Sequence, residues 1–544
     1  MPSRHGGGLT AAALALTGVV FLFARTPAVQ ATGDFQALLA LQEELTRLRQ
    51  PTIAAGVPDY TAATMEARHR ELAGLRRRHE AIDATGWAVA DRIDHLLVRT
   101  QIDALDFDHR VSRPWARDPG LYVDLVRRAP YVDTPVPADR IDAARAALRA
   151  VPKILEQART NLTSPSSELA RMAIRQLERS DGVNQGEPRR PTPPEGVVGW
   201  YQDLLERLPA HHPDLVADAR AALAAAEGYR DWLKAREASM TEPAGIGLEH
   251  YEWFVRHVRL LPYGVEAIRL IGDRELERAR TLLKIEQHRN RRVPVLEPAT
   301  TAEEHERRTR EAETLIRDFI ERERLMTIPP DIPPQFETDA FWIVRPGGHR
   351  HFWEELTYRD PLNNHIHASI PGHRFDGLIQ RTQARPIRQA FRDGTRSEGW
   401  AFYIEEMFLQ AGLLDARPRT RELFYIAQLK RAARIPAELR MQTGEFTLQQ
   451  AIDYLIDQVP LMEPDLARYD LAIYLRRPAY GMNYTVGKAQ MERLLSDRAH
   501  QLGDRFDLGT FHDEFLAAGP IPISLIRWEM TGLDDEVGPL LARR

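Results

Sequence analysis

The sequence predicts a mainly α-helical protein, on three observations. Apolar residues recur at three-and-four spacing through most of the chain, as Leu38, Leu39, Leu41, Leu45 and Leu48 do between Phe35 and Arg49. Strict alternation of apolar and polar residues, the mark of a half-buried strand, is rare. A composition 43% hydrophobic and 28% charged supplies a sizeable core under a solvated surface. Its 544 residues have room for several average domains or for one large helical unit of two lobes. The second arrangement is adopted here, with a deep groove between the lobes.

The N-terminus comes first. Arg4 and His5 precede an apolar run from Leu9 to Phe23, then Thr26-Pro27-Ala28-Val29-Gln30-Ala31. Charged, apolar and small-residue segments in that order make a secretory signal peptide over residues 1–31. The run is short for a membrane span, and an uncleaved anchor is the alternative reading. Cysteine is absent, so there is no disulfide, no thiolate ligand and no cysteine to carry a lipid. The mature protein is expected in the periplasm or outside the cell, with no stable membrane span. A net charge of −5, with acids and bases interspersed, gives no nucleic-acid surface.

Amphipathic helices follow at about 60–79, 84–107, 137–163 and 166–180. Residues 180–196 form a polar connector rich in Pro and Gly. Helices resume at about 197–208 and 212–237, and a break at 241–247 sets the boundary between an N-terminal lobe, 32–240, and a C-terminal lobe, 241–544. A charged helix spans about 302–325. The prolines of 327–336 bias that segment away from helix. Residues 338–344 are the best strand candidate. Further helices fit 414–436, 446–457 and 484–501.

The chemistry converges on 363–406. His367 and His373 bracket Pro371-Gly372, and Glu398-Gly399-Trp400-Ala401 comes about one helix later. Two imidazoles and a carboxylate are the three-ligand set of a catalytic zinc site. Six residues separate the two histidines, and on a straight helix that offset points the rings about 120° apart. Pro371 removes the amide that would bond the His367 carbonyl, so a helix kinked there is expected to swing His373 back.

HASIPGHR followed by EGWAFYIEE resembles the H-E-x-x-P-G-H-H … E-G-W-A-x-Y-x-E signature of the bacterial "domain of unknown function 885" family, which is similar to helical gluzincin metallopeptidases. The resemblance covers most of the second half and the first half loosely. It implies a metallopeptidase-like helical fold with a small edge sheet beside the metal helix, and His367, His373 and Glu398 as ligands of a metal, zinc by expectation. It also exposes a departure. Ala368 stands where the family has its catalytic Glu, and Arg374 replaces the last His.

Other residues are weighed around that gap. Glu405 lies seven residues after Glu398, on the same helical face about 10 Å along the axis. It would orient a histidine, or replace the missing base if the fold brings it within about 3 Å of the water to be activated. His365 is a candidate ligand, partner of a ligand or displaced base, and Glu354, Glu355 and Glu406 are weaker candidates. By resemblance, Tyr484, Tyr480, Arg477 and Arg476 would steady a developing oxyanion. His512 and Asp513 are read as a structural pair at a helix start. His79-Glu80 and His305-Glu306 begin like H-E-x-x-H but continue wrongly, and are assigned to solvated faces. The expected activity is hydrolysis of peptides by an exported zinc peptidase with an atypical or missing base. The alternative is a pseudo-peptidase that captures peptides or a protein partner without cleaving.

Overall fold

Helices account for nearly all regular structure in the computed structural model, which describes residues 33–180, 182–183, 187–336 and 342–541. The expected signal peptide, residues 1–31, lies outside the described residues. The chain opens with α1 (Gly33–Arg49), α2 (Ala62–Glu80) and α3 (Val89–Phe107). Then come α4 (Pro114–Arg117), α5 (Pro119–Val126), α6 (Ile141–Asn161), α7 (Ser167–Glu178), α8 (Gly196–Arg207) and α9 (Val216–Arg236). The second half begins with α10 (Leu248–His257), α11 (Val265–Arg289), α12 (Ala302–Glu323) and α13 (Phe352–Thr357). The segment of interest holds α14 (Leu362–Ala368), α15 (His373–Gln380), α16 (Pro386–Ala390) and α17 (Gly394–Gln410). The chain closes with α18 (Pro418–Gln442), α19 (Leu448–Gln458), α20 (Pro464–Arg476), α21 (Asn483–Leu502), α22 (Leu508–Ala517), α23 (Ile523–Thr531) and α24 (Gly538–Leu541).

Two large cores form. One joins apolar residues of α5 to α9, from Tyr122 to Met240. The other joins α1, α2 and α3 to the second half of the chain. The first three helices pack with the C-terminal core, across the boundary predicted at residue 240. The reason lies in α3, where Ile93, Asp94, Leu96, Leu97 and Val98 are all buried. A helix apolar around most of its circumference needs partners on every side. Buried Asp94 adds ion pairs to Arg388, at 3.1 Å, and Arg385, at 2.8 Å. Between the two cores lies a cavity of about 500 Å³ bounded by α5, α7, α19 and α20, and His367, His373 and Glu398 do not line it.

Strand is almost absent among the described residues. The only sheet among the described residues is β1 (Ile53–Ala54) with antiparallel β2 (Val57–Pro58). The sheet expected beside the metal helix is not seen there. Of the strand candidate, 338–341 lie outside the described residues, and 342–344 run as irregular chain. His79 and His305, assigned to solvated faces, are buried instead. His79 stacks on His95 with ring centroids 3.9 Å apart.

Candidate metal centre

The expected kinked helix is a broken one. α14 ends at Ala368, Ser369 to Gly372 form an open turn, and α15 starts at His373. Pro371 cannot donate, so the helical ladder stops before it. Gly372 then passes so close to the preceding turn that a Cβ there would lie 1.8 Å from the His367 carbonyl oxygen. This close approach folds the second histidine back toward the first. Their ring centroids are 4.7 Å apart with planes at 86°.

α17 supplies the carboxylate. Asp393 caps it by accepting from the Arg396 amide at 2.7 Å, an oxygen filling one of the open donors of a helix start. The Glu-Gly-Trp run divides the work. Glu398 Oε2 lies 3.1 Å from His373 Nε2 and 3.5 Å from His367 Nε2. Gly399 meets Gly487 of α21 backbone to backbone, a contact in which a Cβ would fall 2.5 Å from its neighbour. Trp400 donates its indole N–H to the Pro371 carbonyl at 2.9 Å, pinning the turn between the histidines onto α17.

The donor atoms of His367, His373 and Glu398 all lie within 4.8 Å of one another. Burial alone would raise the Glu398 carboxyl, but hydrogen bonds from His367 and His373 outweigh it and hold the group well below the ordinary carboxylate range. Burial opposes charge on His373, and Glu398 reverses this, raising the imidazole above its usual value.

Around these three, the predicted residues separate. Glu405 is fully buried, with Oε1 2.6 Å from His367 Nδ1, on the side of the ring opposite Nε2. It also takes Arg431 at 2.7 Å and the Asn363 amide at 2.9 Å. Its place is behind the His367 ring, on the Nδ1 side. His365 sits two residues from His367 on α14 and faces the other way, with Nε2 3.2 Å from Glu313 of α12. Tyr484 lies beside the centre, its ring parallel to His367 at 6.2 Å. Burial and Glu398 push its phenol well above the usual value, against the pull of Arg434. Tyr480 is also raised, by burial first and then by Glu398. Arg477 is exposed on the interlobe cavity, and Arg476 is bound to Asp118 and Asp124 of the other lobe. Glu354 pairs with Arg345 and His351, Glu355 with Arg359, and Glu406 with Arg278 and Lys488. His512 bridges the Leu325 carbonyl at 2.7 Å and the Tyr403 hydroxyl at 2.9 Å, while Asp507 caps α22. Asp513 accepts from the Thr327 amide at 2.9 Å and its hydroxyl at 2.6 Å, so both residues hold neighbouring chain in place, though not as a helix-start pair.

Sequence reasoning missed Asn363, Arg431, Arg434 and Glu438. Arg434 lies 4.4 Å over the Tyr484 ring and 3.0 Å from Asp470. Glu438 is fully buried and accepts the amides of Tyr480 at 3.1 Å and Met482 at 3.2 Å, clasping the turn that leads into α21. A signal existed. Lys430, Arg434 and Glu438 recur every four residues in a helix buried along most of its length, and charges repeated on a buried face need partners. Asn363 is likewise one helical turn before His367.

No curated protein matches the chain. Two solved structures share its fold. One, a protein provisionally named a lipoprotein of unknown function from Shewanella oneidensis, is 17% identical with a TM-score of 0.71, over 92% of this chain and 100% of that one. The other, provisionally named a lipoprotein from Colwellia psychrerythraea, is 16% identical with a TM-score of 0.66, over 92% of this chain and 97% of that one. The model of one family matches residues 44–289 and 340–530. The chain therefore belongs to the family described as bacterial proteins of unknown function, DUF885.

Proposed function

We propose that this protein is an exported zinc-dependent hydrolase of the gluzincin kind, acting on peptides, in which the usual base is missing. The observation that carries this reading is the convergence of both Nε2 atoms on one carboxylate oxygen, at 3.1 and 3.5 Å. A tetrahedral zinc site with bonds of about 2.0–2.1 Å sets neighbouring donors about 3.3 Å apart. The two histidine–carboxylate separations are close to that value, and all three donors lie within 4.8 Å of one another, which supports a metal held by these residues. Glu405 behind His367 completes the arrangement, since ligating histidines donate their other ring N–H to a carboxylate.

Zinc, when bound, would supply a Lewis acid and lower the pKa of its water. The chain's own residues do the rest. Glu405, 2.6 Å from Nδ1, would turn the Nδ1–H of His367 toward itself and leave Nε2 free to give a lone pair to the metal. Tyr484, kept protonated by burial beside Glu398, is a hydrogen-bond donor for an oxyanion developing on a substrate carbonyl. No side chain at position 368 accepts the proton of the attacking water. General-base help is worth roughly 10²–10⁴-fold, so turnover of ordinary peptides is slow.

Ala368 favours a second reading, in which the same centre captures peptides without cleaving them. The two readings separate in one experiment: metal content of the purified mature protein, and digestion of a peptide library by wild type beside Ala368→Glu. Position 368 is exposed, so the added carboxylate needs no repacking. Stoichiometric zinc with wild-type cleavage supports the hydrolase. Zinc with cleavage only by the variant supports the capture protein. A protein that takes up no zinc overturns the hydrolase.

A further inference from the structure

We infer that the cavity between the lobes binds the carboxylate of a peptide, through Arg468 and Arg477. This inference rests on the reading of the protein as one that engages peptides. The cavity holds about 500 Å³. That is the size of ordinary ligand pockets, about 300–1,000 Å³, which form preferentially where two units meet. Seven arginines and five carboxylates line it. Most of the arginines are already engaged. Arg476 bridges Asp118 at 2.6 Å and Asp124 at 2.7 Å, Arg171 takes Glu237 at 2.7 Å, and Arg175 lies 3.4 Å from Asp465.

Arg468 and Arg477 differ. Among the described residues, neither makes an ion pair with a carboxylate. Among the described residues, the hydrogen bond of the Arg468 guanidinium goes to the side-chain oxygen of Gln449 at 3.5 Å, and its Nε is buried without a hydrogen-bond partner. Burial and the like charge of Arg175 work against its protonated form, and the nearby carboxylates of Asp465 and Asp453 offset them only in part. A guanidinium so placed is stabilised by an incoming anion, and its planar fork suits a carboxylate. Met172, Leu448 and Ile473 add apolar surface for neighbouring side chains.

α20 connects this cavity to the metal centre. One face carries Asp470 and Tyr474, which engage Arg434 and Tyr480. The other carries Arg468, Ile473 and Arg476, which line the cavity. Arg477 follows directly, and the Tyr480 phenol feels both Arg477 and Glu398.

The test is fluorescence anisotropy with the full mature protein in EDTA, so that no cleavage intervenes. Three labelled hexapeptides of glycine, alanine and leucine are compared: a free C-terminal acid, its amide, and the amide with one internal glutamate. Either acidic peptide binds at least about tenfold tighter than the plain amide, the worth of one charge-assisted hydrogen bond. Preference for the free acid assigns the site to a chain end, and preference for the glutamate to a side chain. Arg468→Gln with Arg477→Gln abolishes the preference, and the double Lys variant retains part of it. Should the double variant not fold, Arg477→Gln alone carries the test, because Arg477 is exposed. Equal binding of all three peptides, or a preference that survives the Gln substitutions, overturns the inference. His373→Ala keeps the preference, so a failed metal centre and a failed carboxylate site give different results.

Discussion

The Glu405 carboxylate lies 2.6 Å from Nδ1 of His367, and both groups are buried. The contact fixes which nitrogen of His367 faces Glu398. Burial works against the Glu405 charge, while Arg431, and then His367, hold its carboxyl below the usual range. Glu405→Gln keeps the shape but removes the charge behind the ring. Zinc affinity is expected to fall about 10–100-fold, read by competition against a chromophoric chelator. Unchanged affinity would show that the contact has no bearing on the metal.

Gly372 is expected to tolerate no side chain. A Cβ would meet the His367 carbonyl oxygen at 1.8 Å, and both partners are backbone, so neither can turn aside. Gly372→Ala should cost about 1–3 kcal/mol in denaturant unfolding and separate the two histidines. A variant as stable as wild type, with the same zinc affinity, contradicts the tight turn described here.

Tyr484 is expected to act on the reacting carbonyl, with Arg434 positioning it. In whichever form cleaves, wild type or Ala368→Glu, Tyr484→Phe should lower kcat about 10²–10³-fold with little change in KM. Arg434→Met removes the cation over the ring and leaves Asp470 with Lys430 alone. It should lower kcat less than Tyr484→Phe. The double variant should be no worse than Tyr484→Phe, if Arg434 acts only through that ring.

His512 sets a pH dependence of stability. Burial pulls it from the ordinary 6.5 down to about 4, while the Leu325 carbonyl opposes this. The folded protein therefore holds it neutral in a range where the unfolded chain is protonated. Because the unfolded state binds more protons there, stability falls as pH drops from 6.5 toward 4 and is independent of this group above 6.5. The group contributes up to ~3 kcal/mol to that loss. His512→Asn should flatten the slope of unfolding free energy between pH 6.5 and 4, measured by urea denaturation. His79 and His95, also lowered to about 4, leave a residual slope. An unaltered slope in the variant would place the proton uptake elsewhere.

Helix content was legible from periodicity because α-helices satisfy their backbone locally, whatever surrounds them. His367, His373 and Glu398 were legible because residue types and the Pro-Gly pair survive without coordinates. The manner of their meeting was less so. A kink was expected, and the chain breaks, because the Gly372 contact depends on the path of the turn and not on its composition. Strand near residue 340 was over-read from β-prone residues that, where described, run as irregular chain.

By itself the sequence determined a helical chain with two imidazoles and an acid close together along it, and no glutamate after the first histidine. Only the tertiary structure decided what stands behind them. Glu405 at His367, Arg434 over Tyr484 and Glu438 under the Tyr480 turn come from different helices, and no local spacing links them. It also decided that α1 to α3 close the C-terminal core and that arginines from both lobes meet in one cavity. Burial and long-range charge are properties of packed surfaces, and they exist only once the chain has folded.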